Sequence, residues 1–228
     1  MKQDEFSARL GGMVDFYSTH KQRVALAAMV GVGALAVGLG LYFYIRSQQN
    51  RAAAAFATAL NTYHAPVLTS PPDIPNLESY KTSNEKNEKA LAAFNSVAQE
   101  YSSYAAGRLA RYYAAICQRE LGKYAEAEQE FQALSRSGDE KLASLAKVGL
   151  ASIYEITDRS AEAEKVYKEL EENPTEAVPA VTARIARANL YLQTDPAQAV
   201  SLYQQVLEEN RGTPAGDYAE MMLAQLPQ

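Results

Sequence analysis

Residues 121–134 read Leu121-Gly122-Lys123-Tyr124-Ala125-Glu126-Ala127-Glu128-Gln129-Glu130-Phe131-Gln132-Ala133-Leu134. The skeleton is a glycine turn, a small residue (Ala127), an aromatic four positions on (Phe131) and an apolar residue three further (Leu134). It returns as Ala163, Tyr167 and Leu170, and again as Ala199, Tyr203 and Val206, each time 36 residues later. Positions 0, 4 and 7 share one face of an α-helix, so each copy predicts one amphipathic helix. One such helix buries little alone, and copies at a fixed period must stack on neighbours as a helical repeat array.

Upstream, Ala90, Phe94 and Val97 carry the same skeleton, 37 residues before Ala127. This makes the helix from Glu85 the second helix of a first, irregular pair whose first helix is 47–63. Further pairs are predicted at 103–121 with 124–135, 140–156 with 161–172, and 178–192 with 196–209. A single helix at 214–226 caps the array. Pro174, Pro179, Pro196 and Pro214 fall between helices or at their starts, where a missing N–H costs little. Pro66, Pro71, Pro72 and Pro75 instead interrupt regular structure, predicting a mobile loop over 65–84 that begins at His64.

Val24 to Ile45 is a run of 22 residues without charge, Pro, Asn or Gln, framed by Lys21, Arg23 and Arg46. As a helix it is about 33 Å long, enough to cross a hydrocarbon core, and Tyr42, Phe43 and Tyr44 supply an interfacial aromatic belt. Its length, and the absence of a small-residue site after it, argue against a cleaved signal peptide. Lys2, Arg9, Lys21 and Arg23 on the N-terminal side outnumber Arg46 and Arg51 beyond it, which predicts the N-terminus in the cytoplasm. The domains expected are therefore a cytoplasmic tail (1–23), a transmembrane helix (24–45) and an exported helical domain (46–228). Ala27/Gly31 and Ala34/Gly38 are small-xxx-small pairs. They permit homo-oligomerisation through the membrane helix, and equally fit the general abundance of Gly and Ala in such helices.

The net charge of −5 conceals an asymmetry. Residues 1–46 hold Lys2, Arg9, Lys21, Arg23 and Arg46 against Asp4, Glu5 and Asp15, so the remainder carries −7. So acidic a domain repels nucleic acid. Cys117 is the only cysteine, and its neighbours Ala114, Ala115 and Ile116 mark it as a small helix residue rather than a reactive thiol. Fifteen Tyr against six Phe suit helix seams whose rims stay wet.

The pairs resemble the tetratricopeptide repeat over roughly residues 85–210. Leu150, Ala151, Tyr154, Ala163, Tyr167 and Leu170 stand in that family's order of large, small, aromatic, small, aromatic and large. The first full pair keeps Ala115, Gly122, Tyr124, Ala127 and Phe131 but has Gln118 where an aromatic is usual. The third keeps Ala188, Tyr191, Ala199 and Tyr203 but is one residue short before Pro196. The fold class expected is all-α: a single N-terminal transmembrane helix followed by a tetratricopeptide-like solenoid. The whole layout also resembles the bacterial ancillary subunit of the Sec translocon, a family related to a periplasmic cell-division coordinator. That resemblance implies an inner-membrane protein with a periplasmic domain. Its partners would be translocon subunits, periplasmic chaperones or exported chains; the alternative is an envelope scaffold coordinating division or outer-membrane assembly.

No nucleophile motif, phosphate loop, metal spacing or paired-carboxylate signature occurs, and no cofactor is implied. His20 and His64 are separated by the apolar run. A non-enzymatic, protein-binding role is therefore expected. By the family's geometry the first helix of each pair lines the concave side. The resemblance thus implies contacts from Leu109, Tyr112, Ile116 and Arg119, from Leu145, Val148, Ser152 and Glu155, and from Thr182, Ile185, Asn189 and Leu192. Two readings of this groove stand: open to a hydrophobically anchored segment, or filled by the chain's own helices 47–63 or 214–226.

Overall fold

The computed structural model describes residues 21–68, 70 and 78–226. The tail 1–20 with His20, the prolines 71, 72 and 75, and the side chain of Ala27 lie outside the described residues. The described chain is all-α, with helices α1 (Lys21–His64), α2 (Ser83–Glu100), α3 (Ala105–Glu120), α4 (Tyr124–Ser135), α5 (Glu140–Ile156), α6 (Ser160–Glu172), α7 (Ala180–Tyr191), α8 (Pro196–Glu209) and α9 (Pro214–Gln225). Two compact units divide between Arg51 and Ala52.

In the first unit, the apolar residues from Leu26 to Ile45 with described side chains are exposed, Val37 by 71%. A stretch of α1 is long and apolar enough to cross a membrane. A soluble core helix would bury this surface, and water does not tolerate a contiguous apolar face of such length. At its end Arg46 Nη1 donates to the Tyr42 hydroxyl at 3.1 Å, and Gln48 Nε2 to the Tyr44 hydroxyl at 3.2 Å.

In the second unit, residues 52–64 of α1 pack on α2 and α3. Ala59, Ala90, Phe94, Ala110 and Cys117 share one cluster, and Phe56 and Tyr63 lie against Phe94 and Tyr113. His64 closes α1 rather than opening the loop. That loop is shorter than expected: Thr82 caps α2 by accepting from Glu85 N at 3.1 Å, so helix begins at Ser83. Its flanks are tied by Leu68 N donating to Tyr80 O at 2.9 Å and Tyr80 N donating to Pro66 O at 3.1 Å.

The period appears in the backbone. Gly122 (φ 73°) and Asp158 (φ 59°) stand 36 residues apart in left-handed conformation, at the turns joining α3 to α4 and α5 to α6. Each turn closes alike, Lys123 N donating to Gln118 O at 2.9 Å and Arg159 N to Tyr154 O at 2.7 Å. The turn from α7 to α8 has no left-handed residue. Asp195 N donates to Tyr191 O at 2.9 Å, and the Asp195 carboxylate caps α8 through Gln198 N with Pro196 in the first turn. A shorter run before Pro196 is accommodated by that different cap. Replacing Gly122 by Ala is expected to cost about 1 kcal/mol, read as a lower denaturation midpoint, because a Cβ is disfavoured at this φ.

Each first helix carries two rows of small residues. Ala110, Ala146, Ala183 and Ala219 are essentially unexposed and face the preceding pair. Ala115, Ala151 and Ala188 have no exposure and face the second helix of their own pair. Between the rows the second helices insert Phe131, Tyr167 and Tyr203, all buried. Small against large at a fixed offset is what lets successive helices interdigitate at interior density. The core is deepest at α5, which buries eight residues against two in α7.

Candidate interaction surface

The residues expected on the concave side occupy equivalent positions on α3, α5 and α7, with Leu192 capping the end of α7, and their environment is mixed. Leu109 is partly exposed, while Tyr112 and Ile116 are half-buried against the cluster of Phe131 and Leu150. Tyr112 meets Phe131 edge-on at 5.8 Å between centroids, and burial raises its phenol pKa. Leu145 and Val148 pack against the cluster of Tyr167 and Val178, and Ile185 and Leu192 against that of Tyr203 and Val206. Thr182 is exposed. The apolar members therefore belong in part to the seams between helices.

The polar members are held by separate hydrogen bonds. Arg119 Nη1 donates to Ser152 Oγ at 3.0 Å, bridging adjacent pairs, and Arg119 Nη2 lies 2.6 Å from Glu120. Ser152 Oγ in turn donates to Gly149 O at 2.8 Å. The Tyr167 hydroxyl donates to Glu155, and the Tyr203 hydroxyl to Asn189. Burial, followed by the hydrogen bond to the Glu155 carboxylate, holds the Tyr167 phenol protonated well above its ordinary range. Glu155 and Asn189 remain exposed while accepting these bonds. The Glu155 carboxylate thus keeps acceptor capacity for a second donor.

Neither of the chain's own helices named as fillers spans this row. Residues 52–64 pack at the α2–α3 end, and α9 joins the row only at its α7 end, sharing a cluster with Ile185 and Leu192 and donating from the Tyr218 hydroxyl to Asn189 Oδ1 at 3.3 Å. The sequence reading passed over the ion pairs between helices. Arg111 pairs with Glu130 at 2.7 Å, Arg159 with Glu128 at 2.5 Å, and Arg184 and Arg187 with Glu171 at 2.6 and 2.5 Å. Their signal was the recurrence of a cation at 111, 147 and 184 beside acidic second helices. Along a single helix Glu128, Glu130 and Glu171 read as solvated positions, which hides the pairing.

Among the described residues no group of three His, Cys, Asp or Glu side chains is placed to hold a metal ion. Cys117 is buried, and burial, reinforced by Glu120, pushes its thiol pKa up to about 12 from an ordinary 9.0. The folded state thus favours the neutral thiol. The stability this contributes is present below the unfolded value and is lost as pH rises from about 9 through 12. The denaturation midpoint is expected to fall between pH 8 and 11, and to fall less in a Cys117→Ala variant.

A family model described as a tetratricopeptide repeat-like domain matches residues 15–228. No curated protein and no solved structure matches the chain.

Proposed function

Because the chain belongs to the tetratricopeptide repeat-like domain family, we propose that it is a membrane-anchored protein–protein interaction module of the bacterial inner membrane. Residues 24–45 form its span, residues 1–23 its cytoplasmic tail and residues 46–228 its periplasmic domain. In this reading it is an ancillary translocon-associated factor, or a chaperone adaptor for exported polypeptides, and has no catalytic role. The observation that carries the proposal is the joining of an exposed apolar helical stretch to a repeat array of a family that mediates protein–protein contact. The row from Leu109 to Asn189 would hold an extended segment: its apolar members offer shallow anchors, and Arg119, Glu155 and Asn189 offer polar contacts to a main chain.

Site-specific photocrosslinking from residues 35–45 tests the assignment. Adducts with translocon subunits are expected. Adducts confined to division or outer-membrane assembly proteins would replace it by the scaffold reading. Orientation is tested separately in a Cys117→Ser background with one cysteine introduced at Ser70. Labelling by an impermeant thiol reagent in intact spheroplasts is expected, and protection until lysis would reverse the orientation.

A further inference from the structure

The first helices of the three complete pairs present one docking face, and α9 presents it again with no second helix upon it among the described residues. Gly107 and Gly216 occupy the third position of α3 and α9, 109 residues apart, which is three repeat steps. A Cβ on either would strike a carbonyl of the preceding turn, Tyr101 O or Asn210 O, so both helices start against the chain in the same way. In that register Ala224 follows Ala115, Ala151 and Ala188, and Met221 follows Tyr112, Val148 and Ile185. The three alanines have no exposure, because the second helix of their pair lies on them. Ala224 is exposed and Met221 is 48% exposed. The opposite row of α9 is seated normally, with Ala219 fully buried against the preceding pair.

The charge on this face is inverted. Arg111, Lys147 and Arg184 share one register position, and each pairs with a glutamate of its own pair's second helix. Arg111 meets Glu130 at 2.7 Å, Lys147 meets Glu169 at 2.6 Å, and Arg184 meets Glu209. In α9 that position is Glu220, which is exposed.

We propose that the Met221–Ala224 face of α9 binds an amphipathic helix of a partner protein, seated as the second helix of a fifth pair. That helix carries a small residue at one position, an aromatic four later and an apolar residue three beyond, with a Lys or Arg just before the aromatic to meet Glu220. The geometry continues an interface the chain builds three times, and the charge of Glu220 opposes a copy of α4, which has Glu130 just before Phe131, whereas Val166 and Leu202 hold that place in α6 and α8. Met221 continues the register of the concave row, but the face lies on α9 while the row's named contacts lie between residues 109 and 192, so its failure leaves the module reading intact, and the converse also holds.

The test uses the full-length chain in detergent and two fluorescent, hydrocarbon-stapled peptides spanning residues 122–136, one native and one with Glu130→Lys. By anisotropy, the E130K peptide is expected to bind about tenfold more tightly than the native one, the difference between a paired and a repelled rim charge. Glu220→Lys in the protein reverses the preference. Ala224→Arg, at an exposed position and with helicity checked by circular dichroism, abolishes binding of both. Absence of saturable binding, equal affinity for the two peptides, or insensitivity to Ala224→Arg overturns the proposal. Self-association in sedimentation velocity that Ala224→Arg abolishes would assign the face to a second copy and overturn it as well.

Discussion

Phe131→Ala is expected to destabilise the repeat domain by about 3–5 kcal/mol, the range for truncating a fully buried aromatic with incomplete collapse of the cavity. Phe131 has no exposure and sits where three helices meet, with Ala127 below it on α4, Tyr112 of α3 at its edge and Gly149 of α5 against its face. A Cβ at position 149 would come within 2.5 Å of the Phe131 ring, so glycine is required there for steric reasons. Gly149→Ala alone is expected to cost about 1–3 kcal/mol by overpacking. The two sites share one volume, so Phe131→Leu with Gly149→Ala should be less damaging than the sum of the single changes. Thermal unfolding of the three variants measures this. Strict additivity would mean that ring and glycine do not bear on each other.

Glu171→Gln is expected to cost about 3 kcal/mol, because it leaves two poorly exposed guanidiniums without their shared counter-charge. Glu171 on α6 accepts from Arg184 Nε at 2.6 Å and Arg187 Nη1 at 2.5 Å, and all three side chains are about 15% exposed. Arg184 retains Glu209, which keeps the cost at the low end, whereas Arg187 Nε is already buried without a partner. The effect should be local. Helix α7 fully buries only Ala183 and Ala188, its other apolar residues being half-buried against the two flanking clusters, so this carboxylate adds to a shallow apolar seat between α6 and α8. Hydrogen exchange should accelerate in α7–α9 before α3–α5 in this variant. Uniform acceleration would show that the array unfolds as one unit.

Much of the architecture was legible in the 36-residue recurrence. Ala127, Ala163 and Ala199 are buried with Phe131, Tyr167 and Tyr203 as their helical spacing required, and the run from Val24 to Ile45 was visible without any fold. Such features are local: a period of 3.6 and an uninterrupted apolar length follow from how one helix meets any apolar surroundings. The concave row was legible only as positions. That Arg119 reaches Ser152, and that Tyr167 and Tyr203 tie down Glu155 and Asn189, depends on which helices become neighbours across 12 to 33 residues.

The sequence by itself therefore determined the helices, the repeat and the apolar segment, because each rests on periodicity within a short window. Only the tertiary structure decided which small-residue row faces which neighbour, that Glu171 is shared by two arginines, and that Ala224 is uncovered while its three counterparts are buried. The reason is physical. Burial and ion pairing are properties of the space between helices, and along the chain Ala224 is an alanine like the others.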